Sequence, residues 1–512
     1  MAEVTEQTPL LSQSAMQKVL PTPLPRLQFT IVVLLQLAEP LTSNVISPFA
    51  PQLVRDIGVT HGRESQVGHY VGLLQSMFFV AEGLTVLFWS RLSDRIGRKP
   101  VIIIGLLGLS LSMYSFGLSK TFVHLMISRT LNGALNGNVG VMKSITAEIT
   151  DSSNISRAFA YMNLTWSTGC TLGAMIGGWL YNPAKRFPRL FGQSEFHKTY
   201  PYFLPCAIPA TFSLLGCIAS AALYKETGPT PIPVLKYLGI RKPSPPAIAE
   251  SMSTSNNNTP STAERDRDQP NTSSSSPLPL RSMFTKRVII ASGSYASLAA
   301  VEITFRCIQP LFYSTPVHLG GLGLSPAKIG NILALDGTLS GLSQLLLFAG
   351  INDRWGSRNT VMYAVGSAIP SFVMFPVLSF VARCAEREYG EFGPGYAGGG
   401  GGGGGGGKLV WAGIALQVAF SLGMFFGYGA IFIFIAKASP NRESIGATNG
   451  ISQTSVSIMR AVGPALANSL FSLSVEKKLL GGHLVYYVLI GVAGVALYIV
   501  SFLPRRMWDD WE

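Results

Sequence analysis

Among the charged side chains inside long apolar runs of this 512-residue chain, four could build one site: Glu39, Arg129, Glu302 and Arg306. A charge at the centre of an apolar span is expensive, roughly 2.5–3.5 kcal/mol on insertion scales, so each needs a partner or a task. Glu39 lies midway along the first apolar run and Glu302 midway along the seventh. A carboxyl group in such surroundings can take up and release a proton, or hold a substrate. Glu39 and Glu302 are therefore the candidate proton-titrating or substrate-binding groups. Arg306 follows Glu302 by one helical turn, so the two share a helix face and can pair. A purely structural ion pair is the competing reading. Glu82 and Asp336 also fall in apolar runs, where local capping or pairing explains them equally well.

A second kind of charge lies between apolar runs. Ser90-Arg91-Leu92-Ser93-Asp94-Arg95-Ile96-Gly97-Arg98-Lys99 joins a run from about 70 to 89 to one from 101 to 118. A partial copy, Asp353-Arg354-Trp355-Gly356-Ser357-Arg358, again separates two apolar runs about halfway along the chain.

The elements that must position these groups are membrane spans. The chain is 47% hydrophobic and 13% charged, with a mean hydropathy of +0.34. Soluble domains carry about 25% charged residues. Apolar runs long enough to cross a bilayer as helices occur at 27–52, 70–90, 100–118, 122–147, 158–181 and 202–224. Six more occur at 288–315, 328–350, 359–382, 409–436, 444–473 and 484–503. The expected architecture is all-α, with twelve transmembrane helices in two lobes of six, at 27–224 and 287–503. Residues 1–26 read as a disordered N-terminal tail, 225–286 as a disordered linker and 504–512 as a C-terminal tail. A ten-glycine run, Gly398 to Gly407, makes 390–407 a flexible loop.

Lys and Arg concentrate on the side that holds both termini and the linker, which makes that side cytosolic. The loop with Lys185, Arg186, Arg189 and Lys198 runs against the rule. The net charge of +13 reflects this orientation signal, and no nucleic-acid partner is expected. Glu6-Gln7-Thr8-Pro9-Leu10-Leu11 has the spacing of an acidic dileucine sorting signal, carried by Glu6, Leu10 and Leu11. It points to a clathrin adaptor as partner and to a vacuolar or endosomal membrane rather than the plasma membrane. Five cysteines without paired spacing and six scattered histidines suggest neither disulfides nor a metal. No cofactor is expected, no P-loop is present, and no nucleophile–base constellation suggests an enzyme.

The two halves repeat one another. Residues 90–97 align with 349–356, and Glu39-Pro40-Leu41 aligns with Gln309-Pro310-Leu311. Gly173-Ala174 with Leu180-Tyr181 aligns with Gly463-Pro464 and Leu470-Phe471. Parallel six-helix repeats suit a carrier whose lobes rock around a site at mid-membrane.

On these residues the chain resembles the major facilitator superfamily. Residues 90–99 resemble its motif A, with Ser90 where the motif has a first Gly. Trp89 to Pro100, together with Pro310-Leu311-Phe312 leading to Gly320-Gly321-Leu322-Gly323-Leu324, is most similar to fungal members related to plant zinc-induced-facilitator-like transporters. The resemblance implies a two-lobed carrier of a small solute working by alternating access, coupled to protons. A facilitative uniporter, or a transport-dead sensor acting through the central loop, are the alternatives. It implies that Glu39, Arg129, Glu302 and Arg306 converge near the midplane. Asp94, with Arg95, Gly97, Arg98 and Lys99 and the copy Asp353, Arg354 and Gly356, would form a gating latch. Asp94 would meet the start of the eleventh helix, and the cations would sit on lipid phosphates. Arg129 to Gly133 resembles motif B, associated with proton coupling. Gly169, Gly173, Gly177 and Gly178 resemble the glycine motif of drug/proton antiporters, where Ala174 replaces its Pro and Gly463-Pro464 restores it in the second half. Close helix packing is the equal reading for these glycines.

Overall fold

The computed structural model describes residues 25–150, 155–226, 284–389, 405–440 and 445–505. Glu6, Leu10, Leu11 and nearly all of the linker and glycine loop lie outside this set. Backbone polar groups in hydrocarbon must bond within their own segment, so the apolar runs become helices. Among the described residues there is no strand.

The first lobe comprises α1 (Arg26–Asn44), α2 (Ala50–Ile57), α3 (Val67–Ile96), α4 (Arg98–Gly117), α5 (Phe122–Ala134), α6 (Asn138–Glu148), α7 (Ile155–Leu180) and α8 (Phe203–Leu223). The second comprises α9 (Lys286–Ser314), α10 (Pro326–Gly366), α11 (Ala368–Tyr389), α12 (Gly405–Ala438), α13 (Ile445–Glu476) and α14 (Leu484–Ser501). Two crossings differ from the sequence expectation. The run 27–52 is split into α1 and α2, because Pro48 disfavours a helical residue before it and Pro51 opens α2. The run 122–147 is split into α5 and α6 at 135–137, beside Asn136-Gly137. Conversely, α10 holds the eighth crossing up to Gly356 and then the start of the ninth, which α11 completes. Counted this way, the described residues make twelve crossings. Eight helical runs are long and apolar enough to cross alone, one of them, Pro326–Arg387, being 62 residues long.

The two charged turns share a backbone shape. Gly97 has φ 99° and Gly356 φ 77°. A side chain there would be strained, and glycine turns the chain sharply from one helix into the next. Each turn is tied to the last helix of its own lobe, with opposite chemistry. In the first lobe the Glu226 carboxylate, just past α8, accepts from the backbone N–H groups of Arg98 (2.7 Å) and Lys99 (3.0 Å), capping α4. An anion is favoured at a helix N-terminus. In the second lobe Arg358 donates to the carbonyls of Leu503 (2.7 Å) and Ser501 (3.0 Å), capping the C-terminal end of α14.

The lobes meet along two helix pairs, α3 with α13 and α7 with α10. Their contacts cluster toward the face away from the charged turns, called here the far face. Arg55 donates to the Ser314 carbonyl at 3.1 Å. His69 meets Ser469 and Ser472. The Ala465 N–H donates to Ser76 at 2.9 Å, and the Trp179 indole donates to Asn331 at 2.5 Å. A Cβ at Gly178 would stand 2.7 Å from the Cα of Gly330, and one at Gly72 would stand 2.7 Å from the Pro464 carbonyl. Toward the other face, Asn449 is exposed, and a Cβ at Gly350 or Gly450 would meet nothing within 4 Å.

Candidate transport site between the lobes

Glu302 is the centre of the most concentrated polar cluster at the lobe interface. It lies midway along α9 and is buried, 6% exposed. Its Oε1 pairs with Arg306 Nε at 2.5 Å, one turn along the same helix. Its Oε2 accepts from the Tyr428 hydroxyl of α12 at 2.8 Å. Arg306 also lies over the Phe425 ring, 5.0 Å from its centroid. Behind Tyr428, Tyr295 packs edge-on at 6.0 Å, and Phe432 packs against Tyr295 at 5.4 Å. The nearby Asp336 carboxylate on α10 accepts from Ser421 at 2.7 Å.

The first lobe reaches this cluster through Cys170 of α7. Arg306 Nη1 lies 3.9 Å from its sulfur, and the Asn44 amide donates to it at 3.2 Å. Glu39 immediately precedes Pro40, which packs on Gly169 beside Cys170, so Glu39, Glu302 and Arg306 lie on the elements around this cysteine. Arg129 does not join them. It is buried inside the first lobe with its guanidinium 4.6 Å from the Phe78 centroid, and Glu82 is the charged group acting on it. Around it runs a polar seam between α4 and α5. Asn132 donates to Ser112 at 2.7 Å, and Ser115 bonds both Ser128 and His124. Arg460 of α13 links the two regions, feeling both Glu302 and Glu82.

Tyr428, Tyr295, Asp336, Arg460 and Cys170 belong to the site, although the sequence did not single them out for it. Asp336 and Arg460 are charges within apolar runs and carried the same signal as Glu302. Tyr428 is one of several rings on α12, with Phe425, Phe426, Phe432 and Phe434.

At the charged turn, the side chains of Ser90 and Asp94 lie outside the described set. Arg95 is exposed, as are Asp353 and Arg354 of the copy. Arg98 departs from the expected lipid contact. It is buried, pairing with Glu148 at the end of α6 (2.9 Å) and donating to Ser93 (2.6 Å). A carboxylate on a neighbouring helix satisfies the guanidinium better than a headgroup the burial keeps away. The antiporter-like glycines serve packing. A Cβ at Gly169 would meet Pro40, at Gly173 the Leu41 carbonyl and at Gly177 the Val45 carbonyl, so α7 lies directly on α1; Gly178 instead faces the other lobe. Gly463 repeats this in the second lobe against Ile303, while Pro464 faces Gly72.

The family model of the Major Facilitator Superfamily matches residues 32–464, most of the chain. The chain belongs to the Major Facilitator Superfamily. As a superfamily member it is an integral, multi-pass membrane transporter of small solutes and not an enzyme. It is 29% identical to the major facilitator-type transporter psiT2 of Psilocybe cyanescens, over 93% of this chain and 90% of that one. It is 28% identical to ZINC INDUCED FACILITATOR 1 of Arabidopsis thaliana, over 94% and 92%, and 26% identical to the multidrug transporter mfsB of Aspergillus fumigatus, over 94% and 84%. The superfamily fold is also seen in solved structures. A bacterial homolog of the human lysosomal transporter Spinster, inward-facing and occupied, matches with TM-score 0.60 at 12% identity over 94% of this chain and 97% of that one. The human organic anion transporter MFSD10 matches with TM-score 0.53 at 17% identity over 94% and 100%.

Proposed function

We propose that this superfamily member is a proton-coupled exporter of a small organic solute, with Glu302 as the titrating group. The carrying observation is the Glu302 carboxylate, shared between Arg306 and Tyr428 at the lobe interface. When Glu302 holds a proton, Arg306 loses its counter-charge and turns to other acceptors; when it releases the proton, the pair reforms. Substrate and proton then compete for the same groups, the requirement for exchange. Glu39, on the first-lobe side of Cys170, is the second carboxylate of the site. The Asp94 latch closes the charged-turn face in the opposite state. Similarity to the multidrug transporter mfsB supports export of drug-like or secondary-metabolite solutes.

The test begins with metabolites retained by cells lacking the protein. The solute found is then followed into vesicles under an imposed proton gradient. Accumulation is expected to collapse with a protonophore, and flux indifferent to it would leave a facilitative uniporter.

The same proposal places the termini in the cytosol, where the charged turns carry their cations, and the protein in a vacuolar or endosomal membrane. Changing both Leu10 and Leu11 to Ala is expected to move a fluorescently tagged protein to the plasma membrane. Unchanged vacuolar fluorescence would discard the sorting signal.

A further inference from the structure

The far-face end of the second lobe gathers three hydrogen-bonding side chains that have nothing to bond. Arg383 lies near the C-terminal end of α11, and its enclosed Nε has no acceptor. Ser379, one turn earlier, is fully buried and its Oγ is likewise without a partner. His483, immediately before α14, has an enclosed and unpartnered Nδ1. Leaving such groups unsatisfied costs about 1–3 kcal/mol each.

Arg383 and Ser379 occupy one place. A Cβ at Gly320 would stand 3.1 Å from Arg383 Nη2 and 3.5 Å from Ser379 Oγ, so both front the same point of the loop after α9. Phe375, Ser379 and Arg383 follow at four-residue spacing on one face of α11. Tyr486 stacks on Phe375 at 5.1 Å and its ring lies 6.0 Å from His483, which sets His483 along that face. Burial, then the Arg383 charge, push the His483 imidazole below its ordinary pKa. Among the described residues neither Arg383 nor His483 forms an ion pair.

Arg383 can only donate, and the Ser379 hydroxyl and a His483 Nδ1–H can donate beside it, which suits a ligand that accepts. We propose that Arg383, Ser379 and His483 form a site for a phosphate-type anion at the far-face membrane boundary. The Arg383 guanidinium offers a fork to two phosphate oxygens. The Ser379 hydroxyl and the Nδ1–H of neutral His483 donate to the same anion. The site lies where α11 ends and α14 begins, at the depth of lipid headgroups, so a phospholipid and free phosphate present the same chemistry to it.

The experiment uses purified full-length protein in detergent. One arm adds phosphatidylglycerol, with phosphatidylcholine as control, and reads retained lipid by native mass spectrometry. The other adds inorganic phosphate alone and reads the thermal midpoint. Arg383→Gln is expected to bind the effective ligand about tenfold more weakly, the loss of one charge-assisted contact. His483→Gln is expected to fall between it and wild type, and it carries the comparison should Arg383→Gln fail to fold. The exposed neighbour Arg387, changed to Gln, is expected to behave as wild type. Retention of phosphatidylglycerol without a phosphate effect identifies a headgroup; a phosphate shift without lipid identifies the free anion. No effect in either arm, or an effect that Arg387→Gln reduces as much as Arg383→Gln, overturns the proposal.

Discussion

Glu302→Gln is expected to reduce proton-driven accumulation of substrate on the order of 100-fold, the scale of losing one charged contact of a few kcal/mol. Downhill exchange of substrate for substrate should survive, because glutamine preserves the shape of the site and removes only the proton. The variant should also be less stable. Arg306 would lose its 2.5 Å partner, and a buried charge left unpaired costs up to 3–5 kcal/mol. The Arg306 side chain retains 26% exposure, so a loss of about 2 kcal/mol is the better expectation. The double variant Glu302→Gln with Arg306→Gln separates the two effects. It should regain most of the thermal stability yet stay uncoupled. Concentrative, protonophore-sensitive flux in Glu302→Gln would mean that the proton travels elsewhere, with Glu39 the next carboxylate to change.

Gly72→Val is expected to stop turnover by holding the far face apart. The added Cβ would stand 2.7 Å from the Pro464 carbonyl and 2.9 Å from the Asn468 Cβ, and backbone cannot step aside as a long side chain can. Closing the far face would then demand overpacking strain, typically about 1–3 kcal/mol. The helix pair α7 and α10 offers an independent copy of the experiment. Gly178→Val meets the Pro326 carbonyl and the Gly330 Cα, each at 2.7 Å. Both variants should fold, since the lobes can remain apart in the far-open state. The measurement is alkylation of a cysteine placed at His69, beside the seal. Its labelling from the far face should rise about tenfold if the equilibrium moves by 1.4 kcal/mol. Labelling equal to that of the parent, with normal transport, would show that the lobes close without this contact.

Much of this was legible in the sequence, for physical reasons. Apolar length dictated the crossings. The turn at Gly97 and its copy at Gly356 were recognisable because a glycine in a charged link between spans has few other uses, and both adopt positive φ. Pairing of Glu302 with Arg306 followed from helical spacing alone. What lay hidden depended on contacts between helices distant in sequence. Spacing cannot say that Tyr428 reaches Glu302, or that Arg129 turns into its own lobe rather than toward the other. Glu226 looked like part of a polar linker, yet its carboxylate caps α4. The break in the fourth crossing had a local signal that helical length obscured. Asn132-Gly133 and Asn136-Gly137 are two turn-prone pairs within six residues.

The Glu302–Arg306 pair sits on a single helix, so it travels as a unit whichever way the lobes tilt. An unpaired charge carried across the whole membrane would do work of about 2.3 kcal/mol per 100 mV. The pair carries opposite charges and no net one. While intact it adds nothing to the charge moved, and the membrane potential acts on it only in steps that break it.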